Sequence, residues 1–447
     1  MRIILIFICM FPMMICAQNH LENDTTINSW AQSPVYFPNN DVVIKVGLYA
    51  GIDLPFALND ALLKRSDDSL LISIPQLFSN LDDNLNILSN SNVEFFYIGM
   101  KLGRKRKSYF SLSSQLVTHL DVNFNQDFLS YLIQGNTNYL GVNVLQSGIG
   151  KGFMAYNSLI LSYAQKVNSK LLFEIKAKRL TGLASVYFEN FDVNLYSHLP
   201  INGEALYAEI DQNILIHTSS LDKNRGNDYL ENKGYAFDFG LEYKLNDQLK
   251  LIASIQDVGS ISWNKQNNLS IESDSLIRLE SLIDLDQEEL NINDDIQETL
   301  DSLTNLFSLD TLYTTYTTYS TSLPQQYFVG AYYKIDFNQA FSLMLHSMHL
   351  EDIFYNSINL AYQRRFGTHF STQVHYQVID KSYNNFGLGL GLHFKRFEMQ
   401  LSSHNLLAID LLNSEKMAYK IALRFQFDRK DRNPKIDRKF GNYKNRF

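Results

Sequence analysis

Residues 233–263 read KGYAFDFGLEYKLNDQLKLIASIQDVGSISW, and the beat of that stretch decides the fold. Every second residue from Tyr235 is large and apolar: Tyr235, Phe237, Phe239, Leu241 and Tyr243. Between them stand Ala236, Asp238, Gly240, Glu242 and Lys244. After Asn246-Asp247 the same beat resumes at Leu249, Leu251, Ala253 and Ile255. Alternation with a period of two over so many residues belongs to a strand with two unlike faces. The aromatic face and the carboxylate-bearing face together describe a strand whose outside meets lipid and whose inside is polar.

The pattern recurs along the chain. Phe370, Thr372, Val374, Tyr376 and Val378 alternate with polar residues, and Phe386, Leu388, Leu390, Leu392 and Phe394 alternate with Gly387, Gly389, Gly391, His393 and Lys395. The last run sets Met417, Tyr419, Ile421, Leu423, Phe425 and Phe427 against Ala418, Lys420, Ala422, Arg424 and Gln426. Sixteen such segments are predicted: 42–52, 93–102, 106–120, 153–166, 170–181, 185–198, 205–217, 233–245, 248–261, 325–336, 340–350, 355–365, 369–380, 385–395, 398–406 and 417–427. Most are about 10 residues long, enough for a tilted strand to cross a bilayer. Their links sort by parity. Short ones fall at 103–105, 168–170, 246–247, 338–339, 367–369 and 396–398, and the long excursions (53–92, 121–152, 218–232, 262–324, 407–416) take the alternate places. Tight turns at one end and long loops at the other are the habit of outer-membrane barrels. The expected fold is therefore all-β, a transmembrane up-and-down antiparallel β-barrel of about 14–16 strands. Short helices are expected in the long loops. Pro75 with Leu77, Leu81, Leu85 and Leu88 spaces one, and Ile296, Leu300, Leu303 and Phe307 space another.

Residues 1–17 have the layout of a signal peptide: Arg2, an apolar run to Ile15, then Ala17 before Gln18. Acylation at Cys16 is the rival reading, against which stands the bulk of Ile15. Both cysteines, Cys9 and Cys16, lie in this leader, so cleavage after Ala17 would leave no thiol for a disulfide or a metal. Beyond it no run approaches the ~18 apolar residues of a membrane helix, so a span must be a closed barrel. Residues 18–427 form the expected barrel, with helical excursions at 53–92 and 262–324, and 428–447 a basic periplasmic tail. The 26 Tyr and 30 Phe suit lipid-facing belts, and the net charge of −8 gives no basic footprint for nucleic acid. The expected partners are outer-membrane lipid and lipopolysaccharide, the machinery that inserts barrels, and a periplasmic or secretion-system protein docking on the tail.

The inward set carries charge of both signs: Glu174, Lys176 and Lys178 on one strand, Asp238 and Glu242 on another, Lys420 and Arg424 on the last. His375 and His393 also point inward on neighbouring strands, and Gly387, Gly389 and Gly391 leave room beside them for a segment or a solute. These nine ionisable residues are the candidate lumen lining. Their segregation is also what a membrane demands, since a midplane Lys or Arg on the lipid face costs ~2–4 kcal/mol. No catalytic residue, cofactor site or metal site is expected. His346 and His349 are three apart and diverge on a strand, and the acidic run DLDQEELNINDD lacks the glycine and spacing of a calcium loop.

Several stretches carry a resemblance. The leader ending CAQ, NVEFFYIGMKLGRKRKSYFSLSSQ, KAKRLTGLASVYF, the opening segment, and SLPQQYFVGAYYKI after a variable insertion resemble a family of Bacteroidota outer-membrane barrels of unknown function. More distantly the chain is similar to FadL-type and type IX secretion-associated barrels. The resemblance implies an outer-membrane barrel with no catalytic residue to inherit. Many such proteins begin Asn-Pro-Ala soon after cleavage. Here the place reads Ser33-Pro34-Val35, a departure that argues against carrying over an N-terminal plug.

A lumen of this strand number is wider than wall side chains alone fill, which permits transport unless a plug occupies it. The expected activity is a solute channel, with hydrophobic solutes among the possibilities. The alternative is a scaffold barrel serving surface or secretion machinery.

Overall fold

The computed structural model describes residues 35–38, 40–53, 62–64, 70–73, 84–134, 136–198, 207–219, 231–264, 268–279, 289–291, 313–315, 317–350, 353–379, 382–394, 396–403 and 416–427. Fourteen antiparallel strands close a barrel. In chain order they are β1 (Val42–Asp53), β2 (Asn84–Leu102), β3 (Ser108–Asn125), β4 (Gly152–Lys166), β5 (Leu171–Ser197), β6 (Lys233–Lys244) and β7 (Leu249–Trp263). Then follow β8 (Gln325–Lys334), β9 (Gln339–Leu350), β10 (Ile353–Phe366), β11 (Phe370–Ile379), β12 (Ser382–His393), β13 (Phe397–Ser403) and β14 (Lys416–Phe427). From β2 onward each pairs with the next in sequence, and β14 returns to β1 with Val42 opposite Phe427 and Asp53 opposite Lys416. β1 lies against β2, and the Lys101 N–H donates to the Asp41 carbonyl at 2.8 Å.

The sixteen predicted segments reduce to fourteen for two reasons. Segments 170–181 and 185–198 are one strand, β5, whose inward parity slips between Gly182 and Ala184, opposite Tyr156 and Ala155. A bulge adds a residue without ending the strand, and every later side chain changes face. The segment read as 205–217 is the strand Ala208–Ser219, which lies outside the ring. It pairs with the upper half of β5 and with Asn268–Leu279. Together with Asn143–Ser147 these strands carry the sheet past the barrel rim.

All the turns between β2 and β3, β4 and β5, β6 and β7, β8 and β9, β10 and β11, and β12 and β13 are short and lie at the end that also holds residues 42 and 427. Their chemistry is local. Asn168 Oδ1 accepts from the Lys170 and Leu171 N–H groups, and Asn246 Oδ1 accepts from those of Gln248 and Leu249. Such side chains mimic a backbone turn and release the chain into the next strand. Gly103 turns at φ 73°, where only a residue without Cβ is unstrained.

The helix expected from Pro75 is overturned at its C-terminal half, since Leu85 and Leu88 lie in β2, opposite Phe124 and Asp121 of β3. The ladder offered by the long β3 overrides a helical spacing of leucines. Residues 74–83 and the second predicted helix at Ile296, Leu300, Leu303 and Phe307 lie outside the described residues. An α-helix that the periodicity did not single out, α1 (Gln126–Gln134), follows β3. Asn125 Oδ1 accepts the Asp127 N–H at 2.8 Å, the contact of an N-cap. Phe128 and Tyr131 on α1 pack on Val144, Val193, Leu195, Ile210 and Ile214 of the projecting sheet.

Outside and inside follow the predicted parity. Tyr235 is 65 % exposed and Phe239 50 %, while Asp238 and Glu242 on the same strand are buried. No helix among the described residues is long and apolar enough to cross a membrane, and the belt of exposed aromatic and aliphatic side chains runs round the strands.

Candidate lumen site

Val35, Tyr36 and Phe37 are buried inside the short-turn end, contrary to the expectation drawn from Ser33-Pro34-Val35. The Tyr36 N–H donates to Glu174 Oε2 at 2.8 Å. Its ring stands edge-on to Tyr97 and Tyr109, at centroid distances of 5.7 and 5.8 Å, and Lys45 Nζ sits 4.1 Å from its centre. Lys166 Nζ lies 4.2 Å over Phe37. Five strands (β1, β2, β3, β4 and β5) thus hold one short segment by ring edges, cations and a carboxylate. What admits the segment is inward chemistry on the wall, which the missing Asn-Pro-Ala signature does not report.

Above it sits an ion cluster shared by four consecutive strands. Lys178 Nζ on β5 lies 2.8 Å from Asp238 on β6 and 2.7 Å from Asp257 on β7. The Gln326 amide on β8 donates to Asp257 at 3.2 Å. By strict alternation from Leu249 to Ile255, Asp257 would face lipid. A bulge opposite Asp238 places it at φ 61° and turns it inward, and its N–H donates to Asp238 Oδ1 at 2.9 Å. A non-glycine residue in that region is strained, and the three buried partners hold it there. Beyond the bulge the inward parity is reversed, so that Ile261 and Trp263 are buried.

The other predicted residues distribute as follows. Glu242 pairs with Lys250 at 3.1 Å, and Lys176, half-buried, lies 3.8 Å from Glu174. Arg424 Nη1 lies 3.5 Å from Glu398, a carboxylate at the start of β13 that the alternation does not single out because it borders the short turn. Lys420 is buried four residues from Arg424 along β14, opposite Ser402. His375 and His393 are both buried but not together. His393 meets Ser371, whereas His375 faces Gly387, six residues away along β12. The room expected at Gly387 is filled, since a Cβ there would overlap the His375 imidazole.

Ser371 Oγ lies 2.6 Å from His393 Nε2, and His393 Nδ1 lies 2.5 Å from Glu398. The order of groups is that of a nucleophile, base and acid. The His393–Glu398 contact has the separation of an ion pair without the alignment of a hydrogen bond, and Ser371 is only 1 % exposed. Without that alignment the imidazole is not oriented as a base, and the trio reads as a wall network. Among the described residues no three His, Cys, Asp or Glu converge on a metal. Most of the acidic run, 280–288 and 292–312, lies outside those residues.

At the long-loop end the Tyr355 hydroxyl donates to Asp121 Oδ1 at 2.9 Å. These residues stand on β10 and β3, opposite one another in the ring, so the two walls touch across the lumen. Trp263, Tyr319 and Leu323 pack with Tyr156 and Leu180 nearby. Trp263 Nε1 donates to Thr321 at 2.9 Å. Among the described residues the inward side chains are mostly buried, and both ends of the lumen hold contacts that the sequence pattern does not encode.

A closed fourteen-strand transmembrane barrel whose lumen holds charges and an N-terminal segment is the class these features define. The sequence matches the model of the family of unknown function DUF5723 over residues 34–403, and the chain belongs to that family. No curated protein matches it. Solved structures with a similar course include the toluene transporter TbuX of Ralstonia pickettii, at 9 % identity and a TM-score of 0.41, covering 87 % of this chain and 90 % of that one. The toluene transporter TodX of Pseudomonas putida is 7 % identical with a TM-score of 0.41, over 89 % and 92 %. A FadL homologue of Pseudomonas aeruginosa is 8 % identical with a TM-score of 0.40, over 88 % and 91 %.

Proposed function

We propose that the protein is an outer-membrane solute channel that rests closed, exported by its leader and seated with the short turns on the periplasmic side. The observation that carries this reading is the seat of Tyr36. At that end the lumen holds a strand-free segment, seated by the Tyr36 N–H bond to Glu174, ring edges and the Lys45 and Lys166 cations, a stopper that can leave without breaking the wall. A structural barrel needs no such removable part. Conductance across planar bilayers tests it. The wild-type barrel should show rare openings, and Tyr36→Ala with Glu174→Ala should raise the open fraction at least tenfold. Equal, negligible conductance in both would overturn the channel.

One feature favours a second reading. The sheet carried past the rim by β5, covered by α1, gives the long-loop end a built surface beyond what a pore requires. In that reading the barrel is a scaffold, with lipopolysaccharide around it and a periplasmic or secretion-system protein on the basic tail. In-cell crosslinking with and without residues 428–447 tests the tail. An unchanged profile removes that docking site.

A further inference from the structure

The lumen has two kinds of wall, joined along one ladder. On β7, β8 and β9 the buried inward positions include Ile252, Phe328, Tyr332, Met344 and Met348, and the buried amides there, Gln256 and Gln326, already bond Ser254 and Asp257. On β10 to β13 they include the amides Asn359, Gln363, Gln373, Gln377, Asn385 and Gln400. The seam is the β9–β10 pairing, in which Met344 stands opposite Asn359 and Ala340 opposite Gln363. A path for hydrocarbon needs no amides, and a path for sugars needs no methionines. Neither amide atom of Gln363, which is 1 % exposed, has a hydrogen-bond partner among the described residues. A buried amide so placed has donor and acceptor capacity that a ligand could meet.

We propose that this seam binds a neutral amphiphile: a polyhydroxylated head against the amides of β10 and β11, and an aromatic or hydrocarbon part against Phe328 and Met344. Amides donate and accept, which matches hydroxyl groups, and a site built to hydrogen-bond a ligand rejects an analogue lacking those groups far more strongly than an apolar surface can. The amides of β10 and β11 carry no charge to favour an anionic head, and Arg424 at the base of β14 already faces the Glu398 carboxylate. The proposal rests on the channel reading for its entry route, while binding can be measured without flux.

The test is equilibrium dialysis of the full chain in lipid nanodiscs against radiolabelled phenyl β-glucoside, glucose, toluene and hexanoate, with empty nanodiscs subtracted. Phenyl β-glucoside should be retained at least tenfold above glucose. Gln363→Leu with Gln373→Leu should lower its retention about tenfold relative to that of toluene. Met344→Gln should lower it too, from the apolar side. Heat-modifiable gel migration certifies folding, and Gln363→Asn replaces the double variant if that one fails to fold. Glucose retained equally, toluene retained without the glucoside, or hexanoate retained tenfold better would each overturn the proposal. Conductance with no glucoside retention sinks the amphiphile and spares the channel, whereas retention without conductance does the reverse.

Discussion

On strands β4 to β9 the buried inward side chains mix Tyr156, Leu180, Ile252, Phe328 and Met344 with charges that already have partners, while on β10 to β14 Ala361 is the only buried hydrophobic among the described residues. Both arcs obey the same rule outside, where aromatic and aliphatic residues face lipid. The difference teaches that the membrane constrains only one face of each strand. Parity selects lipid-facing residues by hydrophobicity, and leaves the inward set free to differ from arc to arc. That freedom is where a barrel's specificity can reside.

The largest expected effect lies in the first arc. Lys178→Ala leaves Asp238 and Asp257 buried beside one another without their cation, and should cost about 3–5 kcal/mol of stability by urea unfolding in vesicles. The triple change Lys178→Met, Asp238→Asn and Asp257→Asn should recover most of it, because neutral groups carry no burial penalty of that kind. A cost below about 1 kcal/mol for Lys178→Ala would mean that water reaches the cluster, and that the arcs differ less than their burial indicates.

Next comes packing. Met344→Ala removes a buried side chain that fills the space beside Gly330, in the same cluster as Phe328, and should cost about 2–5 kcal/mol. The matching change on the other arc, Gln363→Leu, deletes an amide with no hydrogen-bond partner among the described residues and should be neutral or stabilising by about 1 kcal/mol in the unliganded barrel. Equal destabilisation by the two would erase the contrast between the walls.

Much of this molecule is legible in the sequence, because lipid imposes a period of two and tight turns have their own chemistry. The strand faces, the alternation of link lengths and the inward positions of Glu174, Lys178, Asp238, Lys420 and Arg424 all follow from that. The illegible parts share a cause. At Gly182 to Ala184 and at Asp257 an extra residue reverses the parity, so one strand reads as two and a buried carboxylate reads as lipid-facing. Asp257 was nonetheless visible as a conflict, a carboxylate on the greasy beat. Val35 to Phe37 carry no periodicity at all. Their place is set by Tyr97, Tyr109, Lys45 and Glu174, four residues scattered over 130 positions of chain. Pairing that joins distant strands, such as Tyr355 with Asp121, leaves no local trace either.

The smallest effect belongs to neither arc and calibrates both. In the turn between β6 and β7, Lys244 Nζ lies 2.7 Å from Asp247, whose side chain is almost wholly in water. The hydrogen bond and charge of that ammonium hold the Asp247 carboxyl below its usual range. A carboxylate with a lowered folded value contributes stability above the unfolded value of about 4, and loses it as the pH falls through the folded one. Asp247→Asn should therefore leave stability at pH 7 nearly unchanged and slightly flatten its decline below pH 4, as read by urea midpoints across pH. If Asp247→Asn instead rivalled Lys178→Ala at neutral pH, solvent exposure would not be what separates a weak ion pair from a strong one here. The contrast between the lumen cluster and the surface would then need another cause.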